Sequence, residues 1–261
     1  MRFCSLGSGS SGNSTLVEAS QGITTTRILI DAGFSERELT RRLARAGCAP
    51  ADVDAIFVTH EHGDHVGCAL KFAGRHRIPL LTSRGTWRAI AGKADLDVDL
   101  LRFARSDEVI AVGDIELAPF AVPHDANEPL QLCLSDGEVR LGIITDLGSA
   151  PSAVSDALQA CQALLLECNH DEALLRSGPY PPMLQRRILG THGHLSNTAA
   201  AELLSRCRHA GLGIVVAAHL SERNNTPALA REALAAVLST RPDDIRVADP
   251  LHGFDWLPVA G

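Results

Sequence analysis

The octapeptide Val58-Thr59-His60-Glu61-His62-Gly63-Asp64-His65 constrains this chain more than any other stretch. Three imidazoles and two carboxylates crowd positions 60–65, directly after the apolar run Ala55-Ile56-Phe57-Val58. That run predicts a buried strand, so the histidines stand where a strand opens into a loop. On an extended backbone His60 and His62 point the same way. Gly63 then lets the chain bend and aim Asp64 and His65 elsewhere. One short loop can thus serve two metal ions, and its mixed imidazole and carboxylate donors suit zinc, manganese or iron.

A site for two ions needs more ligands than one loop supplies. Further donors are expected at the ends of other strands, where rigid elements fix geometry. Three positions fit: His124 closes Ile115–Val122, Asp146 closes Leu141–Thr145, and His219 closes Ile214–Ala218. Further strands are predicted at 1–6, 15–18, 27–30, 78–81, 130–134, 163–167 and 245–248. Hairpin turns fall at Val112-Gly113-Asp114 and Asp136-Gly137. Helices are predicted at 35–46, 66–76, 83–91, 152–160, 198–207 and 228–239. This alternation predicts an α/β fold. No linker or low-complexity tract divides the chain, so residues 1–261 are expected to form one domain, with two similar halves meeting near residue 125.

The charge balance narrows the partners. With a net charge of −7 and 4% aromatic residues, neither a broad basic face nor a ladder of stacked bases can carry binding. Two divalent ions would add about +4 locally and invert that field, so a phosphate substrate stays compatible. The seven cysteines are scattered, odd in number and without a C-x-x-C pair. They are expected to be reduced packing residues of a cytoplasmic protein, including Cys68 and Cys168 beside the site motifs. No signal peptide or membrane span is expected. The loop Gly7–Ser14 has no Gly-Lys-Ser/Thr, so it is no Walker loop, although its backbone could face an anion.

The His-x-His-x-Asp-His spacing after a strand resembles the metallo-β-lactamase fold superfamily. The resemblance implies a four-layer αβ/βα sandwich with a dinuclear metal site at one edge, between the sheets. By that resemblance His60, His62 and His124 hold one ion, Asp64, His65 and His219 hold the other, and Asp146 bridges them. It further implies a bridging hydroxide as nucleophile, with Asp64 accepting and orienting its proton, and Asp31 hydrogen-bonding a ligand histidine.

Gly193-His194-Leu195-Ser196, followed by a helix, a strand and His219-Leu220-Ser221, looks like the end of tRNase Z-type phosphodiesterases. There the residue matching His194 serves the scissile phosphate or leaving group, and an acid matching Glu167 orients it. The complete pattern, from GSGSSGNS through ECNHD, GHLSN and HLSERNN, is most similar to the YycJ/VicX-like subgroup, which is associated with 5′-exonuclease activity on DNA. The chain lacks an inserted β-CASP domain and a tRNA-clamping arm. Asn13, Asn169, His170, Arg186, Arg187, Ser196 and Asn224 are the expected substrate contacts. The alternative is hydrolysis of a small ester, lactone or thioester, which would not need His194 or Glu167. Neither a membrane nor an obligate protein partner is implied.

Overall fold

The computed structural model describes residues 1–93 and 95–260. Its first sheet contains β1 (Arg2–Gly7), β2 (Ser14–Gln21), β3 (Thr24–Ile30), β4 (Ala55–Val58), β5 (Leu80–Thr82) and β6 (Leu101–Phe103). The second contains β7 (Ile110–Val112), β8 (Ile115–Ala121), β9 (Leu130–Ser135), β10 (Arg140–Ile144), β11 (Ala163–Glu167), β12 (Ile214–Ala218) and β13 (Arg246–Val247). A last strand, β14 (Phe254–Pro258), returns to the first sheet and pairs antiparallel with β1. The sheet orders are β14-β1-β2-β3-β4-β5-β6 and β13-β12-β11-β10-β9-β8-β7.

The helices are α1 (Glu36–Arg45), α2 (Gly63–Val66), α3 (Ala69–His76), α4 (Arg84–Ile90), α5 (Ser152–Ala157), α6 (Glu172–Ser177), α7 (Pro182–Ile188), α8 (Asn197–Cys207) and α9 (Pro227–Leu238). Strand side chains alternate between faces, and both faces of each sheet are covered. Phe3, Val17, Ile28, Phe57, Leu132, Leu141 and Leu165 meet in the core between the sheets. Their neighbours Cys4, Leu16, Leu29 and Ile56 pack outward beneath α1 and α3, in company with Leu39, Leu43 and Phe72. On the other side Ile144, Leu164, Leu166 and Ala217 pack against Leu203, Leu204 and Leu234 of α8 and α9. Burial on both faces explains why the central strands read as unbroken apolar runs. The result is the expected αβ/βα sandwich.

Several boundaries differ from the sequence reading. The helix predicted at 66–76 is split into α2 and α3 because Gly67 has φ 37°, and a Cβ there would lie 2.4 Å from the Ala32 carbonyl oxygen. The loop that follows the histidines can therefore dock on the end of β3 only through glycine. Strands β6 and β14 and helices α6 and α7 escaped the sequence reading. The first is too short to show a period, and β14 alternates burial only weakly and ends in proline. The two helices span six and seven residues in a Pro/Gly-rich stretch. Among the described residues no helix is long and apolar enough to cross a membrane.

Candidate metal centre

Parallel pairing brings strand ends together. Ile30 of β3 is in register with Phe57 of β4, and β10, β11 and β12 run parallel with Ile144 opposite Leu166 and Glu167 opposite Ala218. The residues immediately beyond these ends converge at the carboxyl edge, where open parallel sheets place their ligands. Three of them, Asp31, Asp146 and His219, have φ of 61°, 67° and 53°. Left-handed backbone is costly for non-glycine residues and concentrates where the fold over-determines a functional side chain.

Four overlapping donor groups result, the ligand atoms within each lying within 4.8 Å of one another: His60, His62 and His124; Asp64, His65 and His219; His60, His65 and Asp146; and Asp146, Glu167, His194 and His219. All seven residues expected as ligands fall in these groups, and Asp146 belongs to two of them. His124 turns Nδ1 to the Gly193 carbonyl at 3.0 Å and Nε2 toward His62 Nδ1 at 3.3 Å. Asp64 Oδ2 stands 3.5 Å from His65 Nε2 and 3.4 Å from His219 Nε2. Asp31 lies 2.7 Å from His65 Nδ1 and accepts the Thr59 backbone N–H at 2.8 Å. It is thereby the carboxylate that fixes a ligand-type histidine's ring. Thr59, whose hydroxyl also touches His60 Nδ1 at 3.0 Å, was overlooked in the sequence although it sits inside the motif.

Cations fit this donor set. His60 Nε2 and Asp146 Oδ2 are buried without a hydrogen-bond partner, which is costly for polar atoms away from water. Asp146 Oδ2 lies 2.8 Å from His65 Nε2. Because Asp31 holds the proton of His65 on Nδ1, the neutral ring turns a lone pair toward that oxygen. Two facing acceptors at this separation repel unless positive charge lies between them.

Protons on the imidazoles respond to the same crowding of charge. Burial opposes charge on His65, but Asp146 and Asp31 outweigh it and hold its pKa well above the usual imidazole range. Burial likewise opposes charge on His219, yet Asp146 and the neighbouring Asp64 and Glu167 carry it to about 10. His60 goes the other way, held well below the usual range by burial and then by its proximity to His65.

Glu167 and His194 form a unit beside these clusters. Glu167, fully buried, approaches His194 Nδ1 at 2.7 Å with Oε1 and accepts the backbone N–H groups of Leu147 and Leu195 at 2.9 and 3.3 Å with Oε2. Burial raises its pKa, but His194 and His219 overcome that and bring it down to about 2. Burial opposes charge on His194 in turn, and Glu167 outweighs it, raising the ring above its ordinary value. The His194 loop reaches this place through close backbone contact: a Cβ on Gly193 would lie 2.2 Å from the Ile188 carbonyl oxygen, and one on Gly148 would lie 2.2 Å from the Gly193 nitrogen.

A cavity of about 410 Å³ is lined by Asp64, Asp146, His194 and His219 together with Tyr180, Leu184, Arg187 and Ile188. Of the substrate-contact candidates, Asn169 and Arg187 line it and Arg186 does not. Asn169 also donates to the His219 carbonyl at 3.0 Å. Asn13 is buried and spans the Gly9 loop and Asp64, with Nδ2 3.2 Å from Asp64 Oδ2. Ser196 caps α8 by accepting the Ala199 N–H at 3.2 Å. Asn224 is buried and donates to Ser221 Oγ at 3.2 Å. His170 is buried, with both ring nitrogens lacking a protein partner. Cys68 and Cys168 are buried in the two outer cores. Ser10, Ser221, Asp125 and Tyr180 also line the cavity. Ser10 and Ser221 lie inside quoted motifs without being singled out, and no motif announces Asp125 or Tyr180, although Pro179-Tyr180-Pro181-Pro182 holds the chain's single tyrosine.

Comparison with known proteins gives the family and the fold. The family described as "Beta-lactamase superfamily domain" matches residues 26–220. Exodeoxyribonuclease WalJ of Streptococcus pneumoniae is 32% identical over 260 residues, covering 98% of this chain and 94% of the relative. Exodeoxyribonuclease YycJ of Bacillus anthracis is 33% identical over 258 residues, covering 98% and 96%. Among solved structures, the metallo-beta-lactamase fold protein YhfI from Bacillus subtilis superposes with a TM-score of 0.73 at 17% identity, covering 98% of each chain.

Proposed function

The chain belongs to the β-lactamase superfamily, and from that premise we propose that it is a metal-dependent nuclease that hydrolyses phosphodiesters of DNA from the 5′ end. The observation that carries the reading is the pair His194–Glu167. An imidazole backed by a buried carboxylate at 2.7 Å faces the same cavity as the ligand clusters. A thiolate leaves a thioester without a proton, whereas an alkoxide leaving from phosphorus needs one. The relatives named as exodeoxyribonucleases, similar over nearly their whole length, support the same reading.

His60, His62 and His124 would hold one divalent ion and Asp64, His65 and His219 a second, with Asp146 between them. Such a pair supplies Lewis-acid charge on the phosphate and a water ionised near neutral pH. The rest is the work of the chain. Asp64 holds and orients the proton of the attacking water. Asp31 and the Gly193 carbonyl fix the rings of His65 and His124. Glu167 engages Nδ1 of His194 and leaves Nε2 for the leaving oxygen, to which it delivers a proton. The seven cysteines, buried and unpaired, suit a reducing compartment such as the cytoplasm.

A substrate panel tests the reading. Protein loaded with manganese or zinc is given end-labelled single- and double-stranded DNA, RNA, a lactone and a thioester. Release of nucleotides from the 5′ end of DNA is expected. Turnover of the thioester or lactone alone would overturn it.

A further inference from the structure

The part of the cavity wall that α7 and the turn before it contribute has chemistry of its own. Leu184, Arg187 and Ile188 share one face of α7 at helical spacing, and Tyr180 precedes them at the α6–α7 turn. Arg187 is anchored: its Nε donates to Asp125 Oδ2 at 2.5 Å, while 61% of the side chain stays exposed. A guanidinium carries five N–H donors in a rigid fork, so four remain for a ligand. Asp125 otherwise sets a carboxylate 3.5 Å from His124 Nε2 and 3.9 Å from His62 Nε2. At the mouth of a phosphate site that charge would repel substrate, and Arg187 cancels it. Arg186, one residue earlier, is exposed and does not line the cavity.

We propose that this wall is the subsite for the nucleotide at the end of the strand, with Arg187 holding its 5′-phosphate and Tyr180 stacking on its base. The proposal rests on the nuclease reading above and adds to it an end-group preference. Arg187 suits the phosphate because its fork offers parallel N–H donors to two oxygens. Tyr180 suits any base, since every base has a π-face. The cavity volume of about 410 Å³ lies in the range of pockets for a single small ligand. That is room for one terminal nucleotide, not a groove that tracks many.

The test compares otherwise identical DNA ends bearing a 5′-phosphate or a 5′-hydroxyl, with kcat and KM measured separately on metal-saturated protein. The wild type should favour the phosphorylated end by tenfold or more. Arg187→Ala should bring that ratio close to one, chiefly through KM, and Arg187→Lys should restore part of it. Arg186→Ala should leave the ratio within twofold of wild type. Tyr180→Ala should raise KM for both ends by roughly 5–150-fold, the worth of one base stack, while Tyr180→Phe should stay near wild type. Should Arg187→Ala fail to fold, as judged by circular dichroism, Arg187→Lys and the Tyr180 pair still decide. A wild type indifferent to the end group, or an Arg187→Ala that loses the same factor on both ends, overturns the proposal while leaving the nuclease reading intact. Absence of any DNA turnover overturns both.

Discussion

Glu167→Gln is the substitution on which the reading of the site can be tried most severely. The carboxylate has two oxygens with different duties: Oε2 accepts two backbone N–H groups at 2.9 and 3.3 Å, and Oε1 faces Nδ1 of His194 at 2.7 Å and of His219 at 3.3 Å. An amide keeps only one acceptor oxygen. With that oxygen toward the backbone, the NH2 group confronts two ring nitrogens, and the charge that favours a protonated His194 is gone. Losing one charge-assisted hydrogen bond in a buried place costs about 1.5–3 kcal/mol, which for a chain of this size lowers Tm by about 3–6 °C. His219 loses a partner as well, so metal affinity should fall about 10–100-fold. At saturating metal the variant should still bind two ions per chain. Turnover of DNA should then drop by roughly 10²–10⁴, the range for a lost general acid. For a p-nitrophenyl phosphodiester, whose leaving group needs no proton, the loss should shrink to about tenfold or less. A double variant with His194→Ala should be no slower than the worse single variant, because the two residues act as one unit. Equal losses on both substrates, full DNA turnover, or failure to bind metal at saturation would refute the reasoning.

Other outcomes follow from the same geometry. Asp146→Ala should remove at least one of two ions per chain by metal analysis, since its carboxylate joins two donor groups; two retained equivalents would show that it is no bridge. With a net charge of −7, the slope of log affinity for DNA against log salt should be shallow, reflecting few phosphate contacts; a slope implying six or more would reveal a basic surface. Burial pushes the Cys4 and Cys68 thiols up to about 12 and those of Cys48 and Cys207 to about 11. The native protein should therefore react with almost no thiol reagent at pH 8, against seven equivalents after denaturation; fast labelling of the native state would contradict that burial.

The sheets and their ends were legible because their sequence signal is local. Apolar runs such as Leu164–Leu166 and Val215–Ala218 are buried on both faces and read as strands without context. Each is followed by a residue whose chemistry is unusual at such a place, which made Glu167 and His219 visible. Gly67 was not legible in the same way. Its need for φ 37° comes from the approach of Ala32, more than thirty residues distant, and the sequence shows only an ordinary glycine in a helical pattern. Strand β14 returns to pair with β1 across the whole length of the chain, and such pairing leaves no local period. The wall of α7 was hidden for a third reason. Arg186 and Arg187 look alike in sequence, and the folded structure separates them by the ion pair with Asp125 and by which of them lines the cavity.

That last distinction bears on how this site gains its chemistry. Three residues of the donor clusters and their support, Asp31, Asp146 and His219, stand in left-handed backbone at strand ends, fixed by the two sheets. The groups proposed to separate one reaction from another lie elsewhere: His194 on a loop pressed against Gly148, and Tyr180 and Arg187 around α7. A fold of this kind binds its ions with the scaffold and chooses its substrate with its connections, which vary more readily than packed strands. Swapping the 178–189 connection should accordingly change which end group or base is accepted while the ions stay bound. Replacing Asp146 should do the reverse, removing at least one ion whatever the connection contains.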